Sequence, residues 1–402
     1  MPGDLVALAI VFATSLVVGL VLTPVAARVG RRVGLLDRPR SGEVQQDALP
    51  RSGGYALAIA FLAGIAVSLL LVPHFPEEQR RVVGLIVGSL LLVPVALLDD
   101  IKRLSALPQL VAQITLALLA TAFGITIASV SNPLAPGPFG SPIMLPALLV
   151  VPITVVWLVS LINTVNWLDT MDGLAAGVGA IAAGVLVLLS LSLGQVSVAL
   201  LPAALAGACL GFIPYNFNPA RVILGTSGSM LIGYALGVLS IIGGAKIAAT
   251  VLVLGIPIVD VALVIWQRSR AGRSPMRGGD GAHLPHQLLH RGLSQRKVAL
   301  LLYALCGVFG WLSLMLVRTD KLWAFAGLVL TLAALVLFVR SRTLGVSGWL
   351  ANVGWLRRGR SEPQTAPGPT GDASATAASP AGTATPDQPH APSGEHAGRA
   401  RP

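Results

Sequence analysis

Charge is scarce in this chain. Only 11% of its 402 residues are Asp, Glu, Lys or Arg, against roughly 25% in an ordinary soluble domain, too few to cover a water-facing surface. Cysteine is nearly absent. The two present, Cys209 and Cys306, lie inside apolar runs without metal-ligand spacing, which excludes a disulfide scaffold and a cysteine-based zinc site. A continuous basic surface is also lacking: the arginines behind the formal charge of +11 are divided among short loops, so no nucleic-acid partner is expected. The first apolar run begins near Asp4 without a basic segment before it, and reads as a retained span, not a signal peptide.

Apolar sequence fills the rest. Hydrophobic residues make up 54% of the chain, mean hydropathy is +0.79, and runs of about 20 apolar residues recur, long enough to cross a hydrocarbon core of about 30 Å. They predict an all-α, polytopic membrane protein with about eleven spans, near residues 4–27, 53–73, 82–98, 107–128, 147–162, 173–193, 197–214, 227–243, 246–265, 298–317 and 322–340. An odd number puts the termini on opposite sides. Basic residues concentrate after odd-numbered spans: Arg28, Arg31, Arg32, Arg38, Arg40 and Arg51; Lys102 and Arg103; Arg221; then Arg268, Arg270, Arg273, Arg277, Arg291, Arg296 and Lys297. The opposite loops hold Arg80, Arg81, Lys246, Arg318 and Lys321. The positive-inside bias makes the first set cytoplasmic, the N-terminus external and the C-terminus cytoplasmic. Residues 1–345 form the transmembrane unit, and 346–402, rich in Pro, Ala, Gly, Ser and Thr, read as a disordered cytoplasmic tail.

Four polar stretches interrupt the apolar pattern, all on the side assigned to the cytoplasm. Asp99 and Asp100 close the third span. A solvated helix end accounts for them as well as a pair that binds a divalent cation or accepts a proton. After the fifth span, Asn163, Asn166, Asp169 and Asp172 recur every three residues, which puts them on one helical face suited to a polar ligand and its metal. A third stretch, Pro214 to Arg221 and then Gly225-Thr226-Ser227-Gly228-Ser229, could bring backbone amides to phosphate oxygens where the eighth span begins. The fourth, Asp280 to His286, carries His283 and His286 amid arginines. It suits a diphosphate, or a basic loop on anionic lipid. A transporter is disfavoured: spans five to nine show no inverted repeat, and the polar residues sit at span ends.

In order and content these stretches resemble the polyprenyl-phosphate N-acetylhexosamine-1-phosphate transferases (glycosyltransferase family 4), relatives of the phospho-MurNAc-pentapeptide translocase. The likeness runs from about Asp37 to Ser294 and includes Pro50-Arg51 with Gly53-Gly54, Asp99-Asp100, Asn163 to Leu174, Asn216 to Ser229 and Asp280 to His286. It implies transfer of a sugar-1-phosphate, GlcNAc-1-phosphate above all, from a UDP-sugar to undecaprenyl or similar polyprenyl phosphate. UMP is released, with Mg²⁺ or Mn²⁺ as cofactor, in the first membrane step of cell-envelope polysaccharide synthesis at the plasma membrane. By the same likeness, Asp99, Asp100 and Asp172 are the catalytic and metal residues, and Asn163, Asn166, Asp169, Asn216, His283 and His286 contact nucleotide, phosphate or sugar. The acceptor phosphate attacks directly as the simpler scheme, and a covalent intermediate on an aspartate is the other. A homodimer is compatible with the sequence.

The chain departs from the family pattern where the chemistry lies. Thr226 replaces an expected aspartate, Ile223 an aromatic, Gln109 a lysine, Pro285 a histidine, and Gln45 and Gln46 stand among expected basic and histidine residues. Two readings follow: a divergent transferase with a rearranged donor site, or a catalytically lapsed member that binds lipid phosphate or a partner without turnover. Retention of Asp99, Asp100, Asp169, Asp172, His283 and His286 favours the enzyme.

Overall fold

A computed structural model describes residues 2–37, 48–73, 75–130, 132, 142–242, 244, 246–272, 283–316 and 320–341. The expected tail, Gln45, Gln46 and the Asp280–Ala282 part of the histidine loop lie outside the described residues.

The described chain is a helical bundle. α1 (Pro2–Arg32) is followed by β1 (Leu36–Asp37) and β2 (Leu49–Pro50), an antiparallel pair with Leu36 opposite Pro50. Next come α2 (Gly53–Leu71), α3 (Pro76–Lys102) and α4 (Ala106–Ala122). A second short pair, β3 (Ser129–Val130) and β4 (Ile143–Met144), precedes α5 (Ala147–Leu168), α6 (Leu174–Ser192), α7 (Val196–Asn216) and α8 (Gly225–Leu239). The remainder is α9 (Ile247–Val253), α10 (Gly255–Arg270), α11 (Leu284–His290), α12 (Gln295–Met315) and α13 (Lys321–Ser341).

Seven helices, α1, α2, α3, α5, α6, α7 and α12, are long and apolar enough to cross a membrane, and α9 with α10 makes an eighth candidate. The protein is therefore a multi-pass membrane protein. α4, α8 and the Lys321–Leu337 part of α13 are shorter apolar helices. The expected ninth span is not continuous: α9 and α10 meet at 75°. Pro257 has no N–H to offer the carbonyl of Val253, four residues back, and its ring crowds that carbonyl, so the first helix stops there. At the other extreme, α5 outruns its expected end at 162, because Asn163 and Asn166 find partners on neighbouring helices.

Small residues set the packing. A Cβ on Gly207 would stand 2.4 Å from the carbonyl oxygen of Phe12, and one on Gly211 2.4 Å from that of Leu16, so α7 and α1 touch backbone to backbone, as membrane helices do at small-residue faces. Every residue of α8 is buried. It is apolar on all sides and forms the centre of the bundle. From α1 to α8 successive helices alternate in direction, so the C-terminal ends of α1, α3, α5 and α7 meet the N-terminal ends of α2, α4, α6 and α8. All the candidate residues from Asp99 to Ser229 fall at that shared end.

Candidate functional site

Two loops are bolted together to make the floor of the site. Ile223 N–H donates to the Pro50 carbonyl (2.9 Å), and Gly53 and Gly54 N–H donate to the carbonyls of Ile223 (3.0 Å) and Leu224 (2.9 Å). A Cβ on Gly54 would lie 2.1 Å from Gly228 N, so only glycine lets α2 and α8 start against each other. Gly225 sits at φ +73°, in the left-handed region that glycine adopts at little cost. This junction delivers Arg51 and Tyr55 to the end of α3.

There Asp100 is held from three sides. Its side chain is fully buried and accepts from Tyr55 Oη (3.1 Å) and Thr226 N–H (3.1 Å), with Arg51 Nε 3.3 Å away. The carboxylate thus meets the positive end of α8 as well as a guanidinium. The amide expected to reach a phosphate from the start of α8, that of Thr226, is therefore already engaged. Thr226 Oγ1 lies 3.4 Å from Arg51 Nη2, so the hydroxyl standing where the family pattern has a carboxylate is beside a cation. Asp37 approaches Arg51 at 3.8 Å and Arg103 at 3.4 Å. Asp99 points elsewhere: its Oδ1 accepts from Leu104 N–H (3.0 Å) and Gln109 Nε2 (2.7 Å).

The Asn/Asp series does not form one helical face. α5 ends at Leu168, so only Asn163 and Asn166 are helical; Asp169 is the cap and Asp172 lies in the turn beyond. Met171-Asp172-Gly173, with Gly173 left-handed, turns the chain into α6. Asn163 exchanges amide hydrogen bonds with Gln113 of α4 (2.6 and 3.4 Å). Asn166 Oδ1 accepts from Ser229 Oγ of α8 (2.9 Å). Asp172 Oδ2 accepts from Asn218 Nδ2 (2.9 Å) and Ala220 N–H (3.1 Å). Asn216 is a staple: it accepts from Gly173 N–H (3.0 Å) and donates to the Val222 carbonyl (2.9 Å).

Asp169 differs from all of these. Its carboxylate has no hydrogen-bond partner among the described residues. Burial pushes its pKa up to about 7, with Arg51 pulling downward and Asp100, Asp172 and Asp37 pushing further upward. Several carboxylates thus share one well-placed guanidinium, and a cation would relieve the surplus. No three His, Cys, Asp or Glu side chains among the described residues are grouped to hold a metal ion. In particular Asp99, Asp100 and Asp172 face different partners.

The histidines stand on another element. His283 caps α11, with its Nδ1 2.9 Å from Asp260 Oδ2 of α10, and its ring meets Trp167 edge-on at 6.0 Å. Arg268 lies over the other ring neighbour, Trp167, at 5.7 Å. His286, one turn along α11, has its pKa lowered by burial and by His283 and His290. Sequence reasoning missed Tyr55 and Asp260 and gave Arg51 no role. A lone carboxylate inside the apolar run Ile258-Val259-Asp260-Val261 was the available signal for one of them, since charge at membrane level needs a partner.

Known proteins place this geometry. The model of glycosyl transferase family 4 matches residues 82–244. The chain is 33% identical over 350 residues to a decaprenyl-phosphate N-acetylglucosaminephosphotransferase of Mycolicibacterium smegmatis, covering 79% of this chain and 84% of that protein. It is 29% identical over 325 residues to a probable undecaprenyl-phosphate N-acetylglucosaminyl 1-phosphate transferase of Bacillus subtilis, covering 79% and 87%. A phospho-N-acetylmuramoyl-pentapeptide-transferase of Moorella thermoacetica matches over 110 residues at 43% identity, 27% of this chain and 34% of that one. With the Mycolicibacterium smegmatis protein 33% identical and matched over 84% of its length, this chain belongs to glycosyl transferase family 4.

Proposed function

We propose that the chain transfers GlcNAc-1-phosphate from UDP-GlcNAc, or a related N-acetylhexosamine donor, to a polyprenyl phosphate and releases UMP. The relatives named for this transfer support the reading, and the observation that carries it is the buried Asp100–Arg51 pair (3.3 Å) at one end of an apolar bundle, with Asp169 within its electrostatic reach. A lipid-borne phosphate can reach that end from the bilayer while a soluble nucleotide arrives from water.

In the reaction an oxygen of the acceptor phosphate attacks the sugar-bearing phosphorus of the donor. The bridging P–O bond to the nucleotide breaks, and UMP leaves with the electron pair. Little covalent work is asked of the protein beyond alignment and charge neutralisation. Arg51 draws phosphoryl oxygens toward the junction. Asp169, with a free carboxylate and raised proton affinity, can take the acceptor's proton or face a cation. Mg²⁺ commonly uses one or two carboxylates and completes its shell with water and substrate phosphates. The surplus carboxylate charge fits that pattern, with Asp169 and Asp100 as the protein's side of the site and Asp172 mainly holding the 218–220 loop. When bound, the ion would offset charge on the diphosphate.

We further propose eleven spans, counting the seven long helices, the bent pair and the three shorter apolar ones, with the N-terminus external and the site on the cytoplasmic face of the plasma membrane. The arginine bias supports that orientation. The test is UMP release by the full chain in detergent, from UDP-GlcNAc and related donors with polyprenyl phosphate, with and without Mg²⁺ or Mn²⁺. Release that needs both lipid and divalent cation is expected. Lipid binding with no release from any donor would instead establish the lapsed reading, which Thr226 in place of a carboxylate favours.

A further inference from the structure

Asp260 is a buried carboxylate that the reaction scheme does not yet use. It sits on α10, only 9% exposed, and makes two contacts with the start of α11. Oδ2 is 2.9 Å from His283 Nδ1, and Oδ1 accepts the N–H of Leu284 at 2.8 Å. An ionised carboxylate only accepts hydrogen bonds, so the proton between them belongs to Nδ1. The imidazole is fixed in position, tautomer and ring plane, with the Trp167 edge against it. Nε2, on the far side of the ring, has no hydrogen-bond partner among the described residues.

We propose that Asp260 is a positioning residue of the transfer site: it holds His283 with Nδ1 protonated, so that Nε2 is the atom offered to the substrate. This rests on the transferase reading above. With Nδ1–H spent on the carboxylate, Nε2 is the ring atom left to hydrogen-bond a substrate group. The other charged or titratable groups facing this ring are few. His286 on α11 interacts electrostatically with His283, Arg268 lies over Trp167, and Asp260 is the carboxylate in contact. Trp167 ties the arrangement to Asp169, two residues on, so the clamp sets the histidine relative to the carboxylates.

Asp260→Asn separates positioning from folding. The amide keeps the shape, and its oxygen still accepts from Leu284 N–H, while its NH₂ faces Nδ1 and requires that nitrogen to be bare. The neutral tautomer therefore flips to Nε2–H. Nitrogen-15 spectra of ring-labelled full-length protein should show the Nδ1–H form in the wild type and the Nε2–H form in the variant. Turnover should fall on the order of 10²-fold with the donor KM little changed. His283→Gln should lose a similar factor and make Asp260→Asn nearly silent in the double variant. An Nε2–H wild type, or an Asp260→Asn enzyme with unchanged kcat, overturns the proposal. A wild type that releases no UMP overturns the transferase reading and the catalytic half of this proposal with it; the nitrogen spectra still decide whether the clamp exists.

Discussion

Asp99 and Asp100 are neighbours in the chain, yet the two sides of α3 on which they fall are built differently. Asp99 is satisfied by residues 5 and 10 positions away, contacts that form as soon as α3 ends and α4 begins. Asp100 takes its partners from residues 45 and 126 positions away, so its surroundings exist only once α2, α3 and α8 have assembled. A carboxylate held locally belongs to a helix end; one held by residues from distant elements reports the finished site. Exchanging each for Asn tests that contrast. Asp100→Asn should lower UMP release by about 10³-fold, the largest effect expected here, and Asp99→Asn by far less. Only Asp100→Asn should also destabilise the protein, because Arg51 loses its buried counter-ion. Breaking a fully buried pair costs about 3–5 kcal/mol. Arg51 is 23% exposed and keeps Asp37, so roughly 1–3 kcal/mol is reasonable, read as a lower thermal midpoint in detergent. Equal midpoints for the two variants would erase the distinction.

Arg51→Met probes the Asp100 side from the opposite charge. The guanidinium serves Asp100, Asp37 and, at longer range, Asp169. Removing it leaves the carboxylates uncompensated, and turnover should fall roughly tenfold to a hundredfold. Raised Mg²⁺ should restore part of that loss, because the ion then supplies charge the arginine no longer does. A loss insensitive to Mg²⁺ would mean that Arg51 acts on substrate alone.

The bundle was legible in the sequence because burial in a bilayer is written as long apolar runs, and the placement of the polar stretches at span ends was legible for the same reason. What escaped was direction. Spacing by three suggested that Asn163, Asn166, Asp169 and Asp172 share a face, but α5 ends at Leu168, before the two aspartates, and Asn163, Asn166 and Asp172 each answer to a different neighbour. Likewise nothing local announces that Asp260 would find His283, since 23 residues separate them. Pairings across the bundle depend on which helices become adjacent, a property of the fold and not of any segment.

Thr226→Asp carries a smaller expectation. The new carboxylate would enter between Asp100 and Arg51 Nη2, which lies 3.4 Å from the present hydroxyl, and should tighten Mg²⁺ several-fold in a titration of UMP release. An unchanged titration would place the ion on the Asp169 side, away from α8, and sharpen the division between the two halves of the site.

The smallest effect concerns the other end of the bundle, where a buried charge has no such company. Lys246 is 3% exposed, donates to Gln195 Oε1 (2.9 Å) and lies 3.4 Å from the Ile242 carbonyl. Burial lowers its pKa from 10.5 to about 8, against the upward pull of Glu78. Between those values the unfolded chain binds more protons than the folded one, so stability should rise as pH increases through that window. The formal limit is about 3 kcal/mol at 1.36 kcal/mol per unit, visible as a thermal midpoint a few degrees higher near the top of the window. Lys246→Met should abolish the rise and leave UMP release unchanged, because the residue sits far from the carboxylates. If the rise survives, another group titrates there. If UMP release falls instead, the two ends of α8 are coupled, and the site extends beyond the end at which its carboxylates meet.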